Sequence, residues 1–511
     1  MQVPTWKLAA SSSDPDELAS PYQLSPFPIL NTSHSLPRSA ISITRAHPSS
    51  MRATSFAPAA LALLLQLTLA DQQQQQQQQQ PLSRLRPSHQ PPTADEPSPL
   101  PKQQHHHHVD AASAPPYRDS LLSLHKSLVS IESITGNENE VGRWLVDYLV
   151  GRGYAAELQF VAPSDGTPEG KERFNVVAWP GGHDEGTGNG AGRSSRRSGR
   201  ADPRVVLTSH IDVVPPHIPY SISDDGDAIT SRTMIKGRGS VDAKASVAAI
   251  ITALDDLLHA DSASPASSLS DDVMLLFVVD EEVAGAGMRA FSDSLARMDP
   301  PPRPFSAVIF GEPTENKLAC GHKGALFCDI TARGVAAHSG YPWLGKSANE
   351  LMVRALDRVL DADLGTSDLF GNTTVNVGLF EGGVAGNVIP ERAFVKIGVR
   401  VAIGPQKQGA KVVEDKIQRI LDEVDDEAFT FTCSQGYGSV ECNCDVPDFD
   451  TITVNYGTDV PNLAGNHTRY LYGPGDILVA HGARENLTVG VLEEAVEGYK
   501  KLILHALDHA Q

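Results

Sequence analysis

Val273-Met274-Leu275-Leu276-Phe277-Val278-Val279-Asp280-Glu281-Glu282 is an unbroken apolar run that ends in carboxylates. A run without polar alternation reads as a strand buried on both faces, the pattern of parallel strands inside an α/β sheet. The same arrangement occurs twice more. Val205-Val206-Leu207 runs into His210-Ile211-Asp212, and Phe305-Ser306-Ala307-Val308-Ile309-Phe310 runs into Gly311-Glu312. Between the first two lies Gly237-Arg238-Gly239-Ser240-Val241-Asp242, followed by Val247, Ile250, Ile251, Leu254, Leu257 and Leu258 at helical spacing. Asp242 therefore stands at a helix N-terminus, where a carboxylate is favoured. Open α/β sheets build their sites at the carboxyl edge of the strands. Carboxylates crowded at such an edge need a cation or they protonate. Imidazole mixed with carboxylate suits zinc.

Outward from this stretch, Leu121, Leu124, Leu128 and Ile131 repeat at helical spacing. So do Val141, Trp144, Leu145, Tyr148 and Leu149, with Gly151-Arg152-Gly153 as a stop signal. Residues 174–179 read as a strand and 181–203, rich in Gly, Ser and Arg, as an exposed loop. Past Lys323 the rhythm changes. Strands are expected near 326–332, 373–380, 393–401 and 429–432, with amphipathic helices over 346–360 and 411–424. That β-α-β-β-α-β order is the split βαβ sandwich. The chain then returns through 449–455, Tyr470-Leu471-Tyr472-Gly473-Pro474-Gly475 and His481 to a closing helix with Leu492, Ala495, Val496, Tyr499, Leu502 and Ile503.

The chain has 511 residues, room for two domains with tails. Its 62 acidic and 42 basic residues leave a net charge of -20, which argues against nucleic acid or an anionic membrane as partner. Residues 1–50 are Ser- and Pro-rich and aperiodic. Met51-Arg52, the apolar core Ala59 to Leu65 and the closing Thr68-Leu69-Ala70 describe a secretory signal peptide over 51–70, with Met51 as the true start and 1–50 as an extension of the gene model. Its core is short for a membrane span. Residues 71–115, with polyglutamine 72–80 and His105 to His108, are a low-complexity leader. Asn372, Asn466 and Asn486 sit in glycosylation triplets, as does Asn31 in the extension. The cysteines Cys320, Cys328, Cys433, Cys442 and Cys444 form no CxxC pair. One disulfide among the last three, or none at all, are the two expectations.

On these motifs and their order, Leu121 to Leu507 resembles the dinuclear zinc exopeptidase family that includes aminoacylase, carboxypeptidase G, acetylornithine deacetylase and succinyl-diaminopimelate desuccinylase. It is most similar to the secreted fungal carboxypeptidase branch. The resemblance implies an α/β catalytic domain (116–324 and 435–511) with a central mixed sheet flanked by helices. An α+β, ferredoxin-like lid and dimerisation domain (325–434) interrupts it. It implies two zinc ions per subunit: His210 and Glu312 on one, Glu282 and His481 on the other, and Asp242 bridging. Asp212 would orient His210. The implied reaction is amide hydrolysis by a zinc-activated water, with Glu281 as general base. His338 would donate to the oxyanion, across a homodimer in many relatives. Asn387 and Arg400 match substrate-binding positions, and an Arg suits a free α-carboxylate. Ala245 stands where the family often has Gly, which removes no ligand.

Each residue alone has a plainer reading. His338 caps a turn before Gly340, and Arg400 lies on an exposed sheet face. Asp280 is a structural strand-end carboxylate, His322 shapes the domain junction, and His217 lines the pocket. Gly237-Arg238-Gly239 and Gly473-Pro474-Gly475 are turns, since no GxxxxGK follows. The substrate expectation is a peptide, with an N-acyl amino acid as the alternative. A non-catalytic binding protein is disfavoured by the intact ligand set. A phosphoesterase is disfavoured by too few His and Asn.

Overall fold

A computed structural model describes residues 114–164, 166–180, 203–223, 229–261, 268–434 and 436–509. The extension and signal peptide readings, and nearly all of the leader at 71–115 and of the loop at 181–203, lie outside the described residues. Everything described falls within one unit, Gln104–Gln511.

The apolar runs form the strands expected of them. We number β1 (Ala155–Val161), β2 (Arg173–Trp179), β3 (Val205–His210), β4 (Val273–Val278), β5 (Ala307–Gly311), β6 (Leu318–His322), β7 (Gly324–Arg333), β8 (Thr374–Gly382), β9 (Arg392–Val401), β10 (Phe429–Cys433), β11 (Thr451–Val454) and β12 (Thr468–Tyr472). The main sheet has the order β1-β2-β4-β3-β5-β12. β3 pairs in parallel with β4 and with β5, and β5 in parallel with β12. β1 and β2 close the other edge antiparallel. The sheet is thus mixed, and its parallel strands all end on one side. Every residue of β3, β4 and β5 is buried.

Helices cover both faces. α1 (Arg118–Ser130), α2 (Asn139–Gly151), α3 (Lys244–Asp261) and α7 (Val489–Asp508) contribute to one large apolar cluster, which includes Leu207, Leu275 and Ile309 from the sheet. α4 (Ala286–Ala296) packs Met288 and Phe291 onto Val206, Leu276 and Val308 on the other face. The alternation of clusters between faces is the period-2 geometry of strands. No helix among the described residues is long and apolar enough to cross a membrane.

The inserted sheet has the order β8-β9-β7-β10 and is antiparallel throughout. α5 (Ala348–Asp361) and α6 (Gly409–Val424) lie on one face. There Met352, Leu356, Val413 and Ile417 join Leu326, Ile330, Val395 and Val399 in a separate core. This is the expected split βαβ arrangement. Phe327, Leu379 and Phe380 remain exposed.

The cysteines correct the sequence reading. No bridge forms within Cys433, Cys442 and Cys444. Cys320 pairs with Cys444 and Cys328 with Cys433, while Cys442 is a free thiol. β7 and β10 place Cys328 directly opposite Cys433. The sequence separations, 124 and 105, put both pairings beyond the reach of spacing arguments.

Candidate metal centre

The parallel strands deliver the site because they end together. β3 ends in His210. The turn after β4 carries Glu281 and Glu282, β5 leads into Glu312, and the loop beyond β12 brings His481. Asp242 arrives just ahead of α3, on a turn whose Gly239 has φ +82° and whose absent Cβ would lie 2.7 Å from Val213 Cγ1. The Asp242–Ala243 peptide is cis.

These side chains meet in two groups that share Asp242. His210 Nε2 lies 3.1 Å from Asp242 Oδ1 and 4.0 Å from Glu312 Oε2. His481 Nε2 lies 3.3 Å from Asp242 Oδ2 and 2.9 Å from Glu282 Oε2. Asp242 thus turns one oxygen to each histidine. Glu282 Oε1 is buried and has no hydrogen-bond partner. His210 Nδ1 donates to the Asp212 carbonyl at 2.9 Å, which leaves Nε2 as the ligating nitrogen. An anionic, partly unpartnered donor set of this kind fits a pair of divalent cations.

The electrostatics agree. Burial, then Glu312, pushes the Glu281 carboxyl well above its ordinary value. Burial and Asp242 do the same to Glu312 against the pull of His210. Burial pulls His210 down, yet Asp242, Glu312 and Glu281 raise it well above the usual imidazole range. Hydrogen bonds to Asp242 and Glu282 push His481 up to about 10. Without metal, His481 therefore carries a proton at neutral pH, and an incoming cation must displace it. Zinc binding to metal-free protein at pH 7 is expected to release protons, and the apparent affinity to rise with pH toward 10. Calorimetry in buffers of different ionisation enthalpy measures this; binding with no net proton release would refute it.

Asp212 acts differently from expectation. Its carboxylate is 3.6 Å from His210 Nδ1, beyond a hydrogen bond, and it is the backbone carbonyl that holds the ring. Its oxygens instead accept the N–H groups of Glu281 (3.2 Å) and Glu282 (3.3 Å) and the Thr135 hydroxyl (2.8 Å). Asp212 thus pins the turn that presents both glutamates. Asp280 is structural, as read. It has φ +70°, accepts from Arg173 at 2.8 Å and from Ala286 N–H at 3.1 Å. Arg173, fully buried, also pairs with Glu138 at 2.6 Å. No pattern in the sequence marks that triad.

His322 is buried in the domain junction. Its Nδ1 donates to the Lys323 carbonyl, its Nε2 meets Thr458 Oγ1, and burial lowers it to about 4. His217 is half-buried. Arg400, on β9, lines a cleft of about 1240 Å³ together with Asp242, Glu281, Glu312, Tyr456 and His481. His338 and Asn387 do not line it. They sit together on the lid, where His338 pairs with Val388, Ser339 N–H donates to the Asn387 carbonyl, and His338 Nδ1 accepts from Gly340 N–H at 3.0 Å. Both are exposed. Asn372 and Asn466 are exposed and Asn486 is half-buried.

Comparison with known proteins places this geometry. Residues 320–428 match the peptidase dimerisation domain family model. A peptidase M20 domain-containing protein of Sordaria macrospora is 53% identical, over 77% of this chain and 86% of its own length. A protein of Aspergillus fumigatus named a probable carboxypeptidase is 44% identical, over 83% of this chain and 95% of its own. Among solved structures, a Staphylococcus aureus tripeptidase superposes with a TM-score of 0.58 at 20% identity, over 76% of this chain and 99% of its own. An M20 family metallo-carboxypeptidase of Sulfolobus solfataricus gives 0.54 at 15%, over 76% and 100%. These structures share the fold. With the identity and coverage of the fungal relatives, the chain belongs to the M20 peptidase family.

Proposed function

We propose that the chain is a secreted carboxypeptidase that removes C-terminal residues from peptides at a di-zinc centre. The observation that carries the reading is the pair of ligand groups sharing Asp242, with Glu281 and Arg400 in the same cleft. His210 and Glu312 would hold one ion, Glu282 and His481 the other, and Asp242 both. When bound, the ions lower the pKa of water and polarise the scissile carbonyl.

The protein's own groups do the rest. The Arg400 guanidinium takes the substrate α-carboxylate through paired hydrogen bonds, which fixes the last peptide bond over the ligand cluster. Glu281, whose carboxyl burial and then Glu312 raise above its ordinary value, is the group placed to act as the base. It takes the proton of the attacking water and returns it to the leaving amine nitrogen. Asp212 holds Glu281 in place through the backbone. His338 lies outside this chain's cleft, so it would donate to the oxyanion of a second copy joined through the lid. The exposed edge of β8 and the dimerisation-domain match support that homodimer. Two disulfides and the signal-type stretch at 51–70 support export to an oxidising compartment.

The test is a panel of N-blocked dipeptides with free or amidated C-termini, beside N-acetyl amino acids. Free-acid dipeptides should be cleaved and amides spared. Arg400→Ala should raise KM for the free acid about 10- to 100-fold, the loss expected for a charged hydrogen-bonded pair. Faster turnover of N-acetyl amino acids than of dipeptides would replace this reading with a deacylase.

A further inference from the structure

Arg238 and Glu485 form a buried ion pair directly behind the second ligand group. Arg238 Nη1 is 2.8 Å from Glu485 Oε2, and both side chains are almost wholly buried. Neither has a role in the chemistry above. What they touch is specific. Arg238 Nη1 also donates to the Gly482 carbonyl at 3.2 Å, and Nη2 to the His481 carbonyl at 3.2 Å. Glu485 Oε1 accepts the N–H groups of Val241 at 2.9 Å and of Asp242 at 3.2 Å. One salt bridge therefore ties the backbone of Asp242 to the backbone of His481, across 239 positions of sequence (481 minus 242).

The two ends need that tie unequally. Asp242 is buried, precedes α3 and is bonded by His210. The His481 side chain is 55% exposed, on a loop beyond the sheet, at a backbone φ of +60° that a non-glycine residue rarely adopts. Among the described residues its ring is held by Asp242 and Glu282, the groups with which it would share an ion. A ligand on such a loop loses affinity unless something fixes its main chain before the ion arrives. The fork of an arginine suits the task, since it bonds two carbonyls and a carboxylate at once; a lysine offers a single point charge.

We infer that Arg238 and Glu485 are positioning residues that preorganise the His481–Glu282 metal site, with little bearing on the His210–Glu312 site. The inference rests on the proposed ligand assignment. It goes beyond that assignment by separating the two sites: the ion held by His481 depends on the clamp, and the other does not.

Arg238→Lys and Glu485→Gln test it in the full mature chain. Metal-free wild type and variants are titrated with Zn²⁺ against a competing chelator, with bound metal counted and melting temperature recorded. The expected result is one ion bound as in wild type and the other weakened about 10- to 100-fold, the usual cost of losing a supporting partner. Turnover should fall with it and return as Zn²⁺ is raised, with KM unchanged. Should Arg238→Lys fail to fold, Glu485→Gln carries the test, because its amide oxygen still accepts from Val241 and Asp242. Two ions bound with wild-type affinities in a folded variant overturn the clamp. Equal weakening of both ions also overturns it, since that is general damage. A wild-type chain that binds fewer than two ions instead overturns the ligand assignment.

Discussion

Glu281→Gln is expected to keep both ions and lose most of its turnover, with kcat reduced about 10²- to 10⁴-fold, the range of general acid–base catalysis. The reason is local. Glu281 lines the same cleft as the ligands but belongs to neither ligand group, and its backbone N–H remains bonded to Asp212. The amide has the shape of the carboxyl and lacks its basicity, so the turn stays folded while the proton has no acceptor. Steady-state kinetics and metal analysis on one preparation decide it. Unimpaired kcat removes Glu281 from the base role. Loss of metal along with kcat would make it a ligand.

The second large effect belongs to Asp242. Its oxygens lie 3.1 Å from His210 Nε2 and 3.3 Å from His481 Nε2, one on each side. The carboxyl is held well below the usual range, because the two imidazoles outweigh the cost of burial. Asp242→Ala is therefore expected to empty both sites, leaving His210 and His481 each with a single carboxylate partner. Lost transition-state charge stabilisation of several kcal/mol predicts a fall in kcat/KM of at least about 10³-fold. Metal content at submicromolar free zinc gives the direct check. A variant that still binds two ions would show that Asp242 does not bridge.

Both effects were visible in outline from the sequence. β3, β4 and β5 are buried on both faces, so each carries a run of apolar residues without polar alternation, and the residue types at the end of each run named the ligands. The lid was readable because α5, α6 and their strands keep clean periodicity around their own core. Contacts over long separations were not readable. Arg173 meets Asp280 at a separation of 107 and Arg238 meets Glu485 at 247, so each looks like an ordinary surface charge in the sequence. The sequence places the Asp212 carboxylate beside the His210 imidazole, where it lies 3.6 Å from Nδ1, but gives no sign that it also accepts the N–H groups of Glu281 and Glu282. β1 and α4 also gave no usable pattern. β1 is an edge strand with one buried residue, and α4 buries a narrow stripe behind a Gly-rich turn. His338 and Asn387 matched by motif, but their distance from the cleft is a fact of three dimensions, and their proposed role requires a second copy.

The measurement closest to the centre of this account is a zinc titration of the metal-free protein, with bound ions counted while an N-blocked dipeptide is hydrolysed. The account predicts two ions per chain and turnover that appears as the second is filled. Hydrolysis at full rate by protein that holds no metal would contradict it.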